Sequence, residues 1–427
     1  MTYFGAKQRG WAAALVLAVA MACRSADDMP PTPPANPSPT LTPTAIGSAA
    51  TPPLTGTPTA SATSPSPTVT STIASAAATA TQTPAAVRLG APPTCVGDGA
   101  FHVASGYSST PFVSGLGNLT SLAFGPDGRL YVAELGGNII AAEDLDHDGR
   151  ADDHWTYAGG FFSPLGLAFR GSELYVSSHN RITVLSARTG DVADDARVII
   201  ADLHATGQHQ NNGIAFGPDG KLYITHGSST NDQPPSHPFE ATILQANPDG
   251  SDLRVYATGL RNPYDLAFDR QGRLFATDNG IDSDTDPFVP DELNLIVEGG
   301  FYGFPWVSGI PKAAQQAERP SRAPVALLPD HASADGLAFH DADPASPLYG
   351  DLFIAYWGPQ FVPEYPCSPN TSRLVRVRLE DGPQGGKATV SDFAFGFRNA
   401  LDVTVGPDGA IYVADFAGTV YRIARSQ

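Results

Sequence analysis

The chain has 427 residues, with 43 Asp and Glu against 25 Lys and Arg, for a formal net charge of −18. That excess of negative charge excludes nucleic acid and anionic membrane surfaces as electrostatic partners. The bulk values average two unlike parts. Up to about Ala91 the chain is almost free of charge after its first thirty residues; from Cys95 it is rich in Gly, Asp, aromatic and β-branched residues and is long enough for one large core.

Lys7 and Arg9 precede an apolar run from Trp11 to Met21, and Ala20-Met21-Ala22 stand before Cys23. A charged, an apolar and a small-residue segment in this order predict a secretion signal over residues 1–23, and the run is short for a membrane span. Cys23 directly after the small residues predicts a lipobox and a lipidated cysteine. The protein is then extracytoplasmic, held at the cell surface or envelope, and touches membrane only through the lipid anchor. Residues 24–93 are Pro, Thr, Ser and Ala without an aromatic residue. Such a segment cannot bury enough apolar surface to offset its ordering entropy, so a disordered, extended stalk is expected. Cys95 and Cys367 remain: in an oxidising compartment they form one disulfide or stay two thiols, and their spacing leaves both open.

Residues 94–427 repeat one unit: a short apolar strand, a Gly/Asp turn and a second aromatic-rich strand. Copies begin at Leu119 (LTSLAFGPDGRLYVAE), Pro164, Asn211 (NNGIAFGPDGKLYITHG), Pro263, Ala334 and Ala400 (ALDVTVGPDGAIYVADFAG). The hairpins show period-2 strands, and Gly and Asp supply the backbone angles their turns require. A lone hairpin leaves one face bare. Radial stacking of about six copies covers it, which predicts an all-β, six-bladed β-propeller; a solenoid would serve the repeats too but would need caps. Phe101–Ala104 is expected to supply the outer strand that closes the last blade.

Loops at one face of a propeller converge on the central channel, so residues added between repeats are the site candidates. His209, in HATGQHQNNGIAFGPDG, stands just before a strand at such a mouth, where an imidazole can take a proton from an alcohol. GLRNP at 259–263 brings Arg261 and Asn262; DNG at 278–280, DELN at 291–294 and FYGFPW at 301–306 follow in order. Asp144, Asp146, Asp148 and Asp152 alternate around Gly149 like the start of an EF-hand loop, with Trp155 where the closing Glu belongs. That loop is a structural Ca²⁺ site or a plain acidic turn.

This ordered set resembles the soluble glucose/sorbosone dehydrogenase family, six-bladed β-propellers that use pyrroloquinoline quinone (PQQ) and Ca²⁺. The resemblance covers about Val103 to Ile423. It implies His209 as catalytic base, Arg261 as the cation beside the quinone's reactive carbonyl and Asn262 as a cofactor contact. It implies backbone carbonyls of Gly280 and Ile281 as ligands of the active-site Ca²⁺, and Glu292 and Tyr302 as contributors to a second Ca²⁺ site. Arg373 and Arg398 are the cations expected for the cofactor's carboxylates. The glucose-dehydrogenase type has an Arg-x-Arg pair before Asp-Val; here Arg398 stands alone before Asp402-Val403, nearer the sorbosone type. An acidic insertion from Asp282 to Pro290, with Asp284 and Asp286, departs from the family pattern and is read as added Ca²⁺ ligands or a solvated loop. The implied activity is oxidation of a sugar or related polyol or aldehyde, with electrons passed to an external quinone or cytochrome. Two rivals stand beside it. A Ca²⁺-dependent lactonase-type hydrolase expects carboxylate ligands from several blades; a non-enzymatic surface-binding propeller expects His209 and Arg261 to lie apart.

Overall fold

The computed structural model describes residues 101–187, 190–282, 289–307, 320–330, 332–358, 372–380 and 388–426. The secretion signal, Cys23, the linker, Cys95, Cys367, Asp284 and Asp286 lie outside the described residues. Within them the chain is all-β: twenty-five strands and no helix.

Strands β1 (His102–Val103) and β2 (Tyr107–Ser114) come first. Blade 1 is β3 (Leu119–Phe124), β4 (Leu130–Glu134), β5 (Ile139–Glu143) and β6 (Asp153–Ala158). Blade 2 is β7 (Gly166–Arg170), β8 (Glu173–Ser178), β9 (Arg181–Ser186) and β10 (Asp195–Ile200). Blade 3 is β11 (Asn211–Phe216), β12 (Leu222–His226), β13 (Thr242–Ala246) and β14 (Arg254–Thr258). Blade 4 is β15 (Pro263–Phe268), β16 (Leu274–Asp278), β17 (Pro290–Ile296) and β18 (Ala326–Asp330). Blade 5 is β19 (Ala334–Phe339), β20 (Leu352–Tyr356), β21 (Arg373–Leu379) and β22 (Ala388–Phe395), and blade 6 is β23 (Ala400–Val405), β24 (Ile411–Asp415) and β25 (Thr419–Arg425). Every blade is an antiparallel meander, and the innermost strands pack in the closed order β3, β7, β11, β15, β19, β23 and back to β3. The ring is a six-bladed β-propeller.

The closure differs from the sequence expectation. β2, not Phe101–Ala104, completes blade 6: Tyr107 to Ser114 pairs with Arg425 to Thr419. β1 adds instead to the outer edge of blade 5, opposite Phe395 and Ala394. Length decides this. β25 needs a partner of seven or eight residues, and the Phe101–Ala104 stretch ends at a turn where Tyr107 N–H donates to the Ala104 carbonyl at 3.1 Å and Gly106 has φ 86°.

The repeat encodes the joints between blades. At five of the six joints the aromatic residue of the second strand meets the Phe at the end of the next inner strand: Tyr131 with Phe169, Tyr175 with Phe216, Tyr223 with Phe268, Phe275 with Phe339, and Tyr412 with Phe124 across the closure. These are edge-on pairs with centroids 4.8–5.5 Å apart, each contributing roughly 0.5–1.5 kcal/mol beyond area burial. At the remaining joint Phe353 shares a cluster with Val405. The Asp of the GPDG turn anchors the aromatic strand: Asp127, Asp219 and Asp408 accept the hydroxyls of Tyr131, Tyr223 and Tyr412. Around the channel, Ser121, Asp265 and Asp402 accept the N–H of Leu167, Leu337 and Leu122 on the following blades.

Candidate active site

In each blade the inner strand starts at one face of the ring and ends in the Gly/Asp turn at the other. His209, Arg261–Asn262 and Arg398–Asn399 directly precede β11, β15 and β23, and Gly280–Ile281 follows β16. All therefore stand on the mouth face. The Asp144–Asp152 loop joins β5 to β6 and lies on the opposite, turn face.

His209 donates from Nδ1 to the Ser228 carbonyl at 2.7 Å. That bond fixes the tautomer and leaves Nε2 as an acceptor, which no described residue occupies. Burial first, then the charge of Arg261, push the imidazole from its ordinary 6.5 down to about 3, so it is neutral throughout the physiological range. Gly227 makes this position possible: a Cβ there would lie 2.5 Å from the His209 Cβ and 2.7 Å from the Asn262 Oδ1. The same contacts place His209 beside Asn262. Asn262 is itself held by Asn212 Nδ2 on its Oδ1 at 3.0 Å, and it donates Nδ2 to Asn279 Oδ1 at 3.0 Å.

Arg261 is only 4% exposed. Its Nε donates to the Asn231 carbonyl at 3.1 Å, and its Nη2 donates to Asn231 Oδ1 at 2.7 Å and to Asp282 Oδ2 at 2.8 Å. Asp282, the first acid of the insertion, is exposed to solvent and at the same time pairs with the buried Arg261. Asp278 accepts the backbone N–H of both Arg261 and Asn262, at 3.1 and 2.8 Å. Asp415 repeats this grip on Arg398 and Asn399, so blades 4 and 6 present an Arg-Asn pair by one device. The Arg398 side chain is exposed, and no described residue pairs with it.

Gly280, Ile281, Glu292 and Tyr302 come together with Arg261 and Asp278 around one cavity of about 20 Å³, the size of one water or ion. Gly280 N–H is taken by Asp291 Oδ1 at 2.9 Å, and Asp291 Oδ2 accepts Ala334 N–H, tying the base of the insertion to blade 5. No described residue donates to the Gly280 or Ile281 carbonyls. Asp278 is driven well above the usual carboxylate range by burial and then by the Glu292 charge. Two carbonyls with no described donor, beside the buried Glu292 carboxylate, are a donor set that fits a hard divalent cation, while Asp278 commits both its oxygens to backbone N–H groups. The Tyr302 hydroxyl is not available to it: it donates to the Leu295 carbonyl at 2.7 Å and accepts Val297 N–H at 2.9 Å.

Arg373 is not among the residues around that cavity. It opens β21, the third strand out from the channel, and pairs with Asp392 of β22 at 3.1 Å. On the turn face, carboxylate oxygens of Asp144, Asp146 and Asp152 lie within 4.8 Å of one another, while Asp148 turns to the Arg150 N–H at 2.8 Å. Trp155 donates its indole N–H to the Asp191 carbonyl and offers no ligand. Asp265, Asp335 and Asp402 do project from three inner strands, as a lactonase-type centre requires. Asp265 and Asp402 are engaged by neighbouring backbone N–H groups, and Asp335 by the Ser333 hydroxyl.

Sequence reasoning missed Asn231, Asp278 and Gly227. Asp278 stands in the DNG string, where only the glycine had been given a role. Asn231 and Gly227 fall in the long connection after β12, whose length was the one signal available.

The glucose/sorbosone dehydrogenase family profile matches residues 172–422. The chain belongs to that family. Quinoprotein glucose dehydrogenase B of Acinetobacter calcoaceticus is 32% identical over 143 residues, 26% of this chain and 29% of that relative, so the match spans less than a third of it. A solved putative oxidoreductase (glucose dehydrogenase) of Thermus thermophilus is 27% identical and aligns over 75% of this chain and all of its own, with a TM-score of 0.58. The PQQ-bound aldose sugar dehydrogenase of Streptomyces coelicolor shares the fold at 22% identity and a TM-score of 0.57, over 75% of this chain and 99% of that one. The relatives it matches are glucose and aldose sugar dehydrogenases.

Proposed function

We propose that the chain oxidises a hydroxyl of a sugar or related polyol with PQQ and Ca²⁺ and passes the electrons to an external acceptor, a quinone or a small cytochrome. The observation that carries this reading is His209. Its Nδ1 is committed to the Ser228 carbonyl, its Nε2 is open, and it shares the mouth with Arg261 and the bare carbonyls of Gly280 and Ile281. His209 Nε2 takes the substrate hydroxyl proton. Arg261 holds fixed positive charge where negative charge develops, a role that needs no rearrangement because Asn231, Asp278 and Asp282 already fix the residue. Gly280 and Ile281 would hold the active-site Ca²⁺, and Asn262 and Arg398 the cofactor's polar groups. Bound there, the cofactor supplies the acceptor for the substrate's hydride and the metal orients it. On this reading the chemistry takes place outside the cytoplasm, on a stalk that the N-terminal signal and Cys23 anchor by lipid.

Reconstitution tests the reading. The full chain, purified without cofactor, is given PQQ and Ca²⁺, and dye reduction is followed over aldoses and polyols. Turnover that needs both additions supports it; failure to bind PQQ at micromolar concentration would overturn it.

A further inference from the structure

Asn231 lies in the loop between β12 and β13, one blade away from Arg261 and the insertion of blade 4. It is the residue on which the two converge. Its carbonyl and Oδ1 accept Arg261 Nε and Nη2 at 3.1 and 2.7 Å. Its Oδ1 also accepts Asp282 N–H at 2.9 Å, and its Nδ2 donates to the Asp282 carbonyl at 2.8 Å. One amide plane therefore satisfies both backbone groups of Asp282, the residue directly after Gly280-Ile281. Aspartate lacks the donor for this, and alanine lacks both partners.

The loop that presents Asn231 is braced. Buried Glu240 accepts the hydroxyls of Ser229 and Ser236 at 2.6 and 3.0 Å, and Thr230 donates to the Gln233 carbonyl at 2.9 Å. Asp282 completes the arrangement with its carboxylate 2.8 Å from Arg261 Nη2. A blade 3 side chain thus sets both the guanidinium and the backbone that follows the two open carbonyls.

We propose that Asn231 is a positioning residue: it clasps the chain after Gly280-Ile281 and locks Arg261, so that cation and cofactor meet a preformed cradle. The clasp rests on geometry alone; its consequence for cofactor uptake rests on the function proposed above.

The test separates the two. Hydrogen exchange is measured over the peptide from Asp278 to Pro290 in cofactor-free protein, beside Ca²⁺ and PQQ affinities and kcat and KM after reconstitution. Asn231→Ala is expected to speed exchange at Asp282 and its neighbours tenfold or more. It should weaken PQQ and Ca²⁺ binding at least tenfold and lower kcat, with sugar KM within twofold. Asn231→Asp keeps both acceptor bonds and loses the donor, so it should fall between alanine and wild type. Asp282→Asn leaves the backbone clasp in place and should exchange like wild type. Wild-type exchange in Asn231→Ala overturns the clasp whatever the protein does with cofactor. Faster exchange with unchanged PQQ and Ca²⁺ affinity overturns the positioning role. A wild-type chain that takes up no PQQ overturns the proposed function, and the exchange result then decides the clasp by itself.

Discussion

Gly227→Ala puts the geometry of the mouth under direct strain. A methyl at this position would sit 2.5 Å from the His209 Cβ and 2.7 Å from the Asn262 Oδ1. Carbon atoms rest at about 3.5–4.0 Å, so His209 or Asn262 must give way by about 1 Å. A displacement of that size at a reacting group costs on the order of 10²-fold in rate, or roughly 2.7 kcal/mol of barrier. Overpacking itself costs about 1–3 kcal/mol of stability, so loss of fold needs a control. Gly217→Ala supplies one on the turn face, where a Cβ would lie 2.6 Å from Asp219 Oδ1 and 2.7 Å from the Tyr223 ring. It meets a comparable clash far from the mouth. The assay is steady-state dye reduction by reconstituted protein, corrected for the folded fraction from thermal unfolding. Gly227→Ala should lose about a hundredfold in kcat and Gly217→Ala less than about threefold. Equal kcat in the two folded variants would refute the placement of the chemistry between His209 and Asn262.

Further outcomes follow from the same contacts. His209→Ala should lower kcat by about 10²–10⁴-fold while PQQ affinity in an absorbance titration stays within a fewfold, because the side chain acts on the substrate proton. Arg398 is exposed with no described partner, so Arg398→Ala should raise the PQQ dissociation constant about tenfold or less and leave the unfolding temperature unchanged. The pH dependence of stability has a definite sign. Folded His209 takes up a proton only near pH 3, whereas an unfolded histidine does so near 6.5. Stability is therefore lost as pH falls below 6.5. In cofactor-free protein, His209→Gln should escape this loss and gain on wild type by about 2 kcal/mol between about pH 7 and pH 5, measured by denaturant unfolding at each pH. A difference that stays constant over that interval would show that His209 is not held neutral by burial.

Which parts of this molecule were legible in its sequence follows from how its contacts repeat. Five of the six blade joints use the same two positions, the aromatic of the second strand and the Phe ending the next inner strand, so one copy predicts the others. Strand number and ring closure come with that pattern. The identity of the closing strand does not, because it depends on matching the length of β25, which no repeat records. The site divides along the same line. His209, Arg261 and Asn262 stand at one repeat-defined place, just before an inner strand, and Arg398-Asn399 shows the same place used again in blade 6. Asn231 and Asp282 belong to irregular connections of different blades and meet only because the ring sets those blades side by side. No internal copy exists to predict such a meeting. The acidic insertion read in isolation offers metal ligands or a solvated loop; its first carboxylate is exposed and also pairs with the buried guanidinium of Arg261. A buried arginine demands a counterion, and the burial that creates the demand is visible only in the folded ring.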